Sequence, residues 1–371
     1  MVRVIGLMSG TSLDGVDAAG IETDGVAVGA AGPTVTIPFP PELRARTRAI
    51  LDRAGSLSLP GDDPELLAVE RDLTLLHVAA VRALDWPAEL IGFHGQTILH
   101  RPAERRSWQI GDAGLLALET GVPVVHDFRS ADLAAGGEGA PLVPVFHQAL
   151  VRGMARPLAV LNIGGVANVS LIGADGALLA CDVGPGNALL DDWAMRHTGV
   201  PCDRDGALAR AGRVDAAVLA RLMGDPFFAR PAPKSLDRLA FHRAMDLLAL
   251  LSPADGAATL AAFTVRAVAS LPLPFQPCRW LVCGGGRHNP VLMDGLRETL
   301  GAAVAPVEAV GWDGDALEAQ CFGFLAARAV RGLPLSFPGT TGAGRPVSGG
   351  RVEQRGLPVA ATRVLARLRQ G

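Results

Sequence analysis

Tyrosine is absent from the 371 residues, and lysine occurs once, at Lys234. That lysine follows Pro231-Ala232-Pro233, so the glycine loop ending in G-K-[ST] that marks a P-loop is excluded. A V-A-I-K strand and a D-F-G triplet are missing too, which excludes the protein-kinase pattern. Any nucleotide phosphates would have to be held mainly by backbone N–H groups. Cysteine is scarce: Cys181, Cys202, Cys278, Cys283 and Cys321 form no C-x-x-C pair and read as reduced, mostly buried thiols. The histidines show no H-E-x-x-H or other paired metal spacing, which gives a zinc site no support. Net charge is only −3 with no basic block, so nothing points to nucleic acid or a membrane surface. Long apolar runs are lacking as well. The longest uncharged run, Pro157 to Ala174, carries Asn162, Asn168, Ser170 and several glycines, unlike a bilayer span. Met1 to Leu7 shows no secretory cleavage pattern, and a cytoplasmic location is expected.

Glycine is what the chain has in quantity, 45 residues, and its placing organises the reading. The length exceeds one simple core and suggests two domains. Arg3 to Met8 and Val16 to Glu22 read as strands around the turn Ser9 to Gly15. The same plan recurs at Leu158 to Asn162, Gly164-Gly165 and Val166 to Ile172. This predicts a duplicated α/β fold with a cleft between the copies, divided near Gly153 into domains 1–153 and 154–371. Helical spacing predicts helices over Glu65–Leu84, Ala258–Leu271, Val291–Leu300 and Ala316–Arg331.

Gly10-Thr11-Ser12-Leu13-Asp14-Gly15 puts small residues, hydroxyls and a carboxylate in one turn. Successive N–H groups there can form an anion nest, and Asp14 or Asp17 could hold Mg²⁺ directly or through water. An ordinary hairpin turn is the alternative, weakened by the second glycine turn at Gly164-Gly165. A third cluster, Gly284-Gly285-Gly286, follows the strand Trp280–Cys283 and precedes Asn289-Pro290, the start of a helix. It could form a wall for adenine and ribose, or simply be a tightly packed strand-to-helix turn. Two glycine hairpins followed by G-G-G before a helix are the order of an actin/hexokinase-type nucleotide site. Asp182 ends a strand before Gly184-Pro185-Gly186-Asn187 and is equally suited to general base or turn cap. Asp315-Ala316-Leu317-Glu318 has capping-box spacing, a structural task for Glu318. His94-Gly95-Gln96-Thr97, Gln109 to Asp112 and Asp127-Phe128-Arg129 are polar islands suited to a sugar, with Arg129 able to pair a carboxylate.

Met8 to Asp17, His94-Gly95-Gln96-Thr97, Asp127-Phe128-Arg129, Ala134 to Pro144, Asn162 to Asn168, Asp182 to Asn187, Asp203 to Gly206 and Pro338 to Gly342 together resemble the anhydro-N-acetylmuramic acid kinase family. The resemblance runs from about Val4 to Gly350. It implies a two-domain actin/hexokinase-like (ribonuclease H-like) α/β fold with ATP in the interdomain cleft, and Mg²⁺ as cofactor. The implied reaction, in peptidoglycan recycling and amino-sugar catabolism, hydrolytically opens 1,6-anhydro-N-acetylmuramic acid and phosphorylates its 6-oxygen. Gly10, Thr11, Ser12, Leu13, Asp14, Gly15, Val16 and Asp17, with Gly164, Gly165, Gly284, Gly285, Gly286 and Asn289, are then the ATP contacts. Asp182 and Glu318 are catalytic, and His94, Gln96, Thr97, Arg129, Gly186 and Asn187 meet the sugar. The expected partner is this small molecule, with neither nucleic acid nor membrane, and the expected assembly is a homodimer.

One segment departs from the family pattern: Ser235-Leu236-Asp237-Arg238 stands where S-T-G-R is expected, and Cys202 precedes Asp203 where an aromatic is common. Two other classes stay open. One is another small-molecule kinase of the same fold; the other is a nucleotide-switched binding protein. A repressor is disfavoured because the first strand begins at Val4, with no preceding DNA-binding domain expected.

Overall fold

The computed structural model describes residues 1–57, 63–234, 236, 241 and 244–370. Chain contacts divide it into two compact units: Met1–Arg152 with Ala316–Gly371, and Gly153–Asp315. The first unit begins with β1 (Val2–Ser9), β2 (Gly15–Thr23), β3 (Val28–Pro38), β4 (Leu90–Arg101), β5 (Arg106–Ile110) and β6 (Val124–His126). The second holds β7 (Leu158–Ile163), β8 (Val166–Ile172), β9 (Leu178–Pro185), β10 (Arg279–Cys283) and β11 (Ala303–Pro306). The last strand, β12 (Arg351–Glu353), pairs antiparallel with β6 and so returns to the first sheet.

The two sheets share one plan. In the first the order is β3-β2-β1-β4-β6, with β5 paired to β4; in the second it is β9-β8-β7-β10-β11. In each, three antiparallel strands lie beside two that run parallel to the first strand of the meander. The central strands β1 and β7 are apolar almost throughout and buried on both faces, as a sheet covered by helices requires. Ile5, Leu7, Val16, Ile91 and Val124 belong to the first core, and Leu161, Val169, Trp193, Phe263 and Val282 to the second.

The C-terminal half is not one continuous domain 154–371 as the sequence suggested. The helix Leu317–Val330 lies against β1, β2 and β4 of the first sheet. Its approach is so close that a Cβ at Gly6 or Gly92 would overlap the carbonyls of Ala319 and Phe322. Only glycine allows backbone to meet backbone at that spacing. Of the sequence-read helices, the other three run Pro64–Ala83, Pro253–Ala269 and Pro290–Thr299. Among the described residues no helix is long and apolar enough to cross a membrane.

Candidate functional site

In the first unit the turn between β1 and β2 is closed by Leu13 N–H donating to the Gly10 carbonyl at 3.1 Å. Leu13 takes a positive φ of 59° and is fully buried, anchoring the turn in the core rather than offering a side chain to ligand. Gly10 is open: a Cβ there would meet only Ser12 Oγ, at 3.5 Å. Gly15 is closed, since its Cβ would lie 2.8 Å from the Ile37 carbonyl on β3. The sequence reading missed how the turn is braced. From the helix Pro41–Arg53, Arg44 donates to the Ser12 carbonyl (3.3 Å) and the Asp14 carboxylate (3.0 Å), and Arg48 reaches the Thr11 carbonyl at 3.5 Å. Their i, i+4 spacing was the available signal. Gln96 Nε2 donates to the Gly10 carbonyl at 3.3 Å, so this fully buried side chain serves the turn. Thr97 pairs with Gln109 across the β4–β5 ladder, its hydroxyl accepting from Nε2 at 3.1 Å.

Glu318 sits in the first turn of Leu317–Val330, but the capping box read from sequence does not form. The N-cap is Ala316, with no side-chain cap, and the Asp315 carboxylate pairs with Arg287 at 2.9 Å instead. Glu318 is left for other work. Solvent reaches its side chain, yet protein crowds it on the remaining sides. That desolvation raises its pKa above the ordinary carboxylate value; negative Asp17 adds to the rise, and Arg129 opposes it. Asp17 accepts the Thr36 hydroxyl at 2.6 Å.

Arg129 is held on two sides. Its Nε and Nη2 lie 3.1 and 2.9 Å from His94 Nε2, and Nη1 donates to the Gly139 carbonyl at 2.7 Å. Gly139 N–H in turn donates to Asp132, whose other oxygen accepts the Ser336 and Thr341 hydroxyls. The islands at 94–97, 127–129, 134–144 and 338–342 thus form one hydrogen-bonded body within the first unit.

In the second unit three glycine elements converge. Asn187 N–H donates to the Gly164 carbonyl at 2.7 Å and Gly186 N–H to that of Gly165 at 3.0 Å. Asn187 Nδ2 donates to the Ile163 carbonyl at 3.0 Å. A Cβ on Gly284 or Gly286 would run into Asn162 or Ile163, so these two pack the strand-to-helix turn. Gly164 and Gly285 are open, with nothing within 3.5 Å of an added Cβ. Asn289 caps Pro290–Thr299 by accepting Val291 N–H at 3.0 Å.

Asp182 lies within β9, which continues past it to Pro185, rather than at the strand's end. Its N–H donates to the Lys234 carbonyl (2.9 Å), and its Oδ2 accepts Leu236 N–H at 2.7 Å. The only lysine is buried: its ammonium donates to the Phe227 carbonyl at 3.1 Å and lies 4.3 Å from that ring's centre. Lys234 therefore anchors the segment that holds Asp182, a task its failure to fit a phosphate loop did not suggest. Of the departing stretch, Ser235, Asp237 and Arg238 lie outside the described residues. Cys181, Cys283 and Cys321 are buried; Cys202 and Cys278 are exposed.

A family model described as Anhydro-N-acetylmuramic acid kinase matches residues 2–354. A protein of that name from Gluconobacter oxydans is 64% identical over 362 residues, covering 95% of this chain and 99% of its own. One from Acidiphilium cryptum is 61% identical, covering 96% and 99%. One from Rhodospirillum rubrum is 54% identical, covering 94% and 93%. Solved structures are more distant. The component A of (R)-2-hydroxyglutaryl-CoA dehydratase from Acidaminococcus fermentans aligns with 88% of this chain and 98% of its own at 11% identity and TM-score 0.45.

Proposed function

The chain belongs to the anhydro-N-acetylmuramic acid kinase family, and from that premise we propose which of its residues carry the family's reaction. The enzyme phosphorylates 1,6-anhydro-N-acetylmuramic acid with ATP, in peptidoglycan recycling. The observation that carries this reading is the family match over residues 2–354, with relatives identical at more than half of aligned positions.

An anhydro sugar has no free 6-hydroxyl, because that oxygen is bonded to the anomeric carbon. Asp182 takes a proton from a water at that carbon; the water oxygen bonds to the carbon as the bond to the 6-oxygen breaks. The 6-oxygen then attacks the γ-phosphorus and ADP leaves, giving N-acetylmuramic acid 6-phosphate. The two hydrogen bonds from the 234–236 segment fix the Asp182 carboxylate for this step. Glu318, holding its proton more tightly than an ordinary carboxylate, is suited to share one with the departing 6-oxygen. Arg129 keeps part of its five-donor guanidinium for the sugar's carboxylate.

The open backbone at Gly10, Gly164 and Gly285 suits phosphate oxygens, since nothing stands within 3.5 Å of where a side chain would begin. Placing ATP in an interdomain cleft is part of the proposal and is supported by the family likeness. Mg²⁺ would neutralise phosphate charge. Among the described residues no trio of His, Cys, Asp or Glu gathers as a closed metal site, so the cation would take most ligands from phosphates and water. Asp17 is the better of the two carboxylates for it, because Asp14 is paired with Arg44. A coupled ADP-release assay tests the reading: release should need the anhydro sugar, and ADP formation indifferent to that sugar would refute it.

A further inference from the structure

His94 was expected to meet the sugar, but its geometry leaves it little to offer. It is 4% exposed, and both ring nitrogens are engaged inside the first unit. An arginine side chain only donates. With Arg129 Nε and Nη2 both directed at His94 Nε2, that nitrogen must be unprotonated and accepting. The ring proton then sits on Nδ1 and is donated to the Gly95 carbonyl at 2.8 Å. The ring packs on Phe322 with centroids 4.4 Å apart. Phe322 is four residues after Glu318 on the helix Leu317–Val330, so the two share one helix face. His94 and Arg129 thus meet two successive turns of one helix face, the ring against Phe322 and the guanidinium within electrostatic reach of Glu318.

We propose that His94 is a positioning residue: as a neutral acceptor it fixes the Arg129 guanidinium beside Glu318, and so sets the proton affinity of that carboxyl. The inference rests on the catalytic role proposed for Glu318. The opposite side of the guanidinium is already tied, through Gly139 and Asp132, to Ser336 and Thr341. His94 supplies the other tie. A protonated His94 could not do so, because it would present a donor to a donor and place two cations side by side. Burial, then the Arg129 charge, push its pKa well below the ordinary histidine value, with His77 and His100 adding smaller repulsions. Besides Arg129, the groups that act electrostatically on Glu318 are Asp17 on β2 and Cys321 on its own helix.

Two replacements separate acceptor from bulk. His94→Gln keeps a side-chain acceptor; His94→Met keeps much of the volume without one. The pH dependence of kcat is measured for both, beside Glu318→Gln, which identifies the limb that Glu318 controls. Without the acceptor the guanidinium is free to swing away. That limb should then move to higher pH by about one unit in His94→Met, within the range an opposite charge commands. His94→Gln should keep it near its original place. A limb unmoved in His94→Met, or moved equally in both, overturns the proposal while leaving Glu318 catalytic. If Glu318→Gln leaves the profile unchanged, the catalytic reading of Glu318 falls, and the proposal with it. Should His94→Met fail to fold, nitrogen-15 NMR of the wild-type enzyme decides. The His94 signals, assigned by their loss in His94→Gln, should show a bare Nε2 and a protonated Nδ1 from pH 8 to below the ordinary histidine pKa of about 6.5. A protonated Nε2 anywhere in that range overturns the proposal.

Discussion

Replacing Gly10 with valine separates ligand binding from folding, because the structure puts the two on different glycines of one turn. At Gly10 an added Cβ would lie 3.5 Å from Ser12 Oγ, an ordinary contact, and no positive φ stands in the way. Where the backbone tolerates it, losing a glycine stabilises by about 0.4–1 kcal/mol through the unfolded chain. Phosphate oxygens, in contrast, must come within hydrogen-bond distance of the backbone that the side chain would now cover. A hydrogen bond to a charged group contributes about 1.5–3 kcal/mol, so losing one weakens ATP binding roughly 10- to 150-fold. Gly15→Ala is the control: its Cβ would press to 2.8 Å from the Ile37 carbonyl, and its effect should appear in the melting temperature. Calorimetric titration with a non-hydrolysable ATP analogue, alongside thermal unfolding, reads both quantities. Gly10→Val binding the analogue as tightly as wild type would remove this turn from the phosphate site.

Asp182→Asn should lower turnover by ~10²–10⁴, the usual cost of losing a general base, with analogue binding near wild type; weakened binding at full turnover would contradict it. Glu318→Gln should reduce activity at least about tenfold with no loss of stability at pH 7.5. The sign follows from its raised pKa: the folded state holds the proton more tightly than the unfolded chain, so stability falls as pH rises from the unfolded value through the folded one, and removing the charge relieves this. A melting temperature lowered by that substitution would mean a structural task after all. His77 shows the reverse. Burial lowers its pKa to about 4, so between about pH 6.5 and 4 the unfolded chain binds the proton that the folded state refuses. Stability should fall by about 2 kcal/mol on going from pH 7 to 5 for this histidine alone, and His77→Leu should flatten the denaturation profile over that range.

The hairpins were legible because they are local. Alternation on either side of Gly10 or Gly164 fixes strand, turn and strand within some twenty residues, and β1–β2 and β7–β8 appear where the pattern puts them. The repeated strand order was implied by those hairpins, but the return of residues 316–371 to the first unit was not. That return depends on Gly6 and Gly92 meeting a helix more than two hundred residues later, which no periodicity encodes. Glu318 failed in the same way: its capping-box spacing is real, but Asp315 is drawn off by Arg287, 28 positions earlier. Among the site residues, Asp182 was found by its type and place. Its holders, Lys234 and Leu236, were not, because they act through backbone groups on a segment read only as a departure. Gln96 and His94 were read as ligand contacts because polar residues after an apolar run look alike whether they face a sugar or a neighbouring loop.

The central claim is that water opens the anhydro bond and the freed 6-oxygen takes the phosphoryl group. Running the reaction in heavy-oxygen water, quenching early, tests it most directly. The product is compared with unlabelled product soaked in the same water, since anomeric hydroxyls exchange slowly. The account predicts label at the anomeric hydroxyl, above the soaked control, and none in the sugar phosphate. Label in that phosphate, or an anomeric position no more labelled than the control, would contradict it.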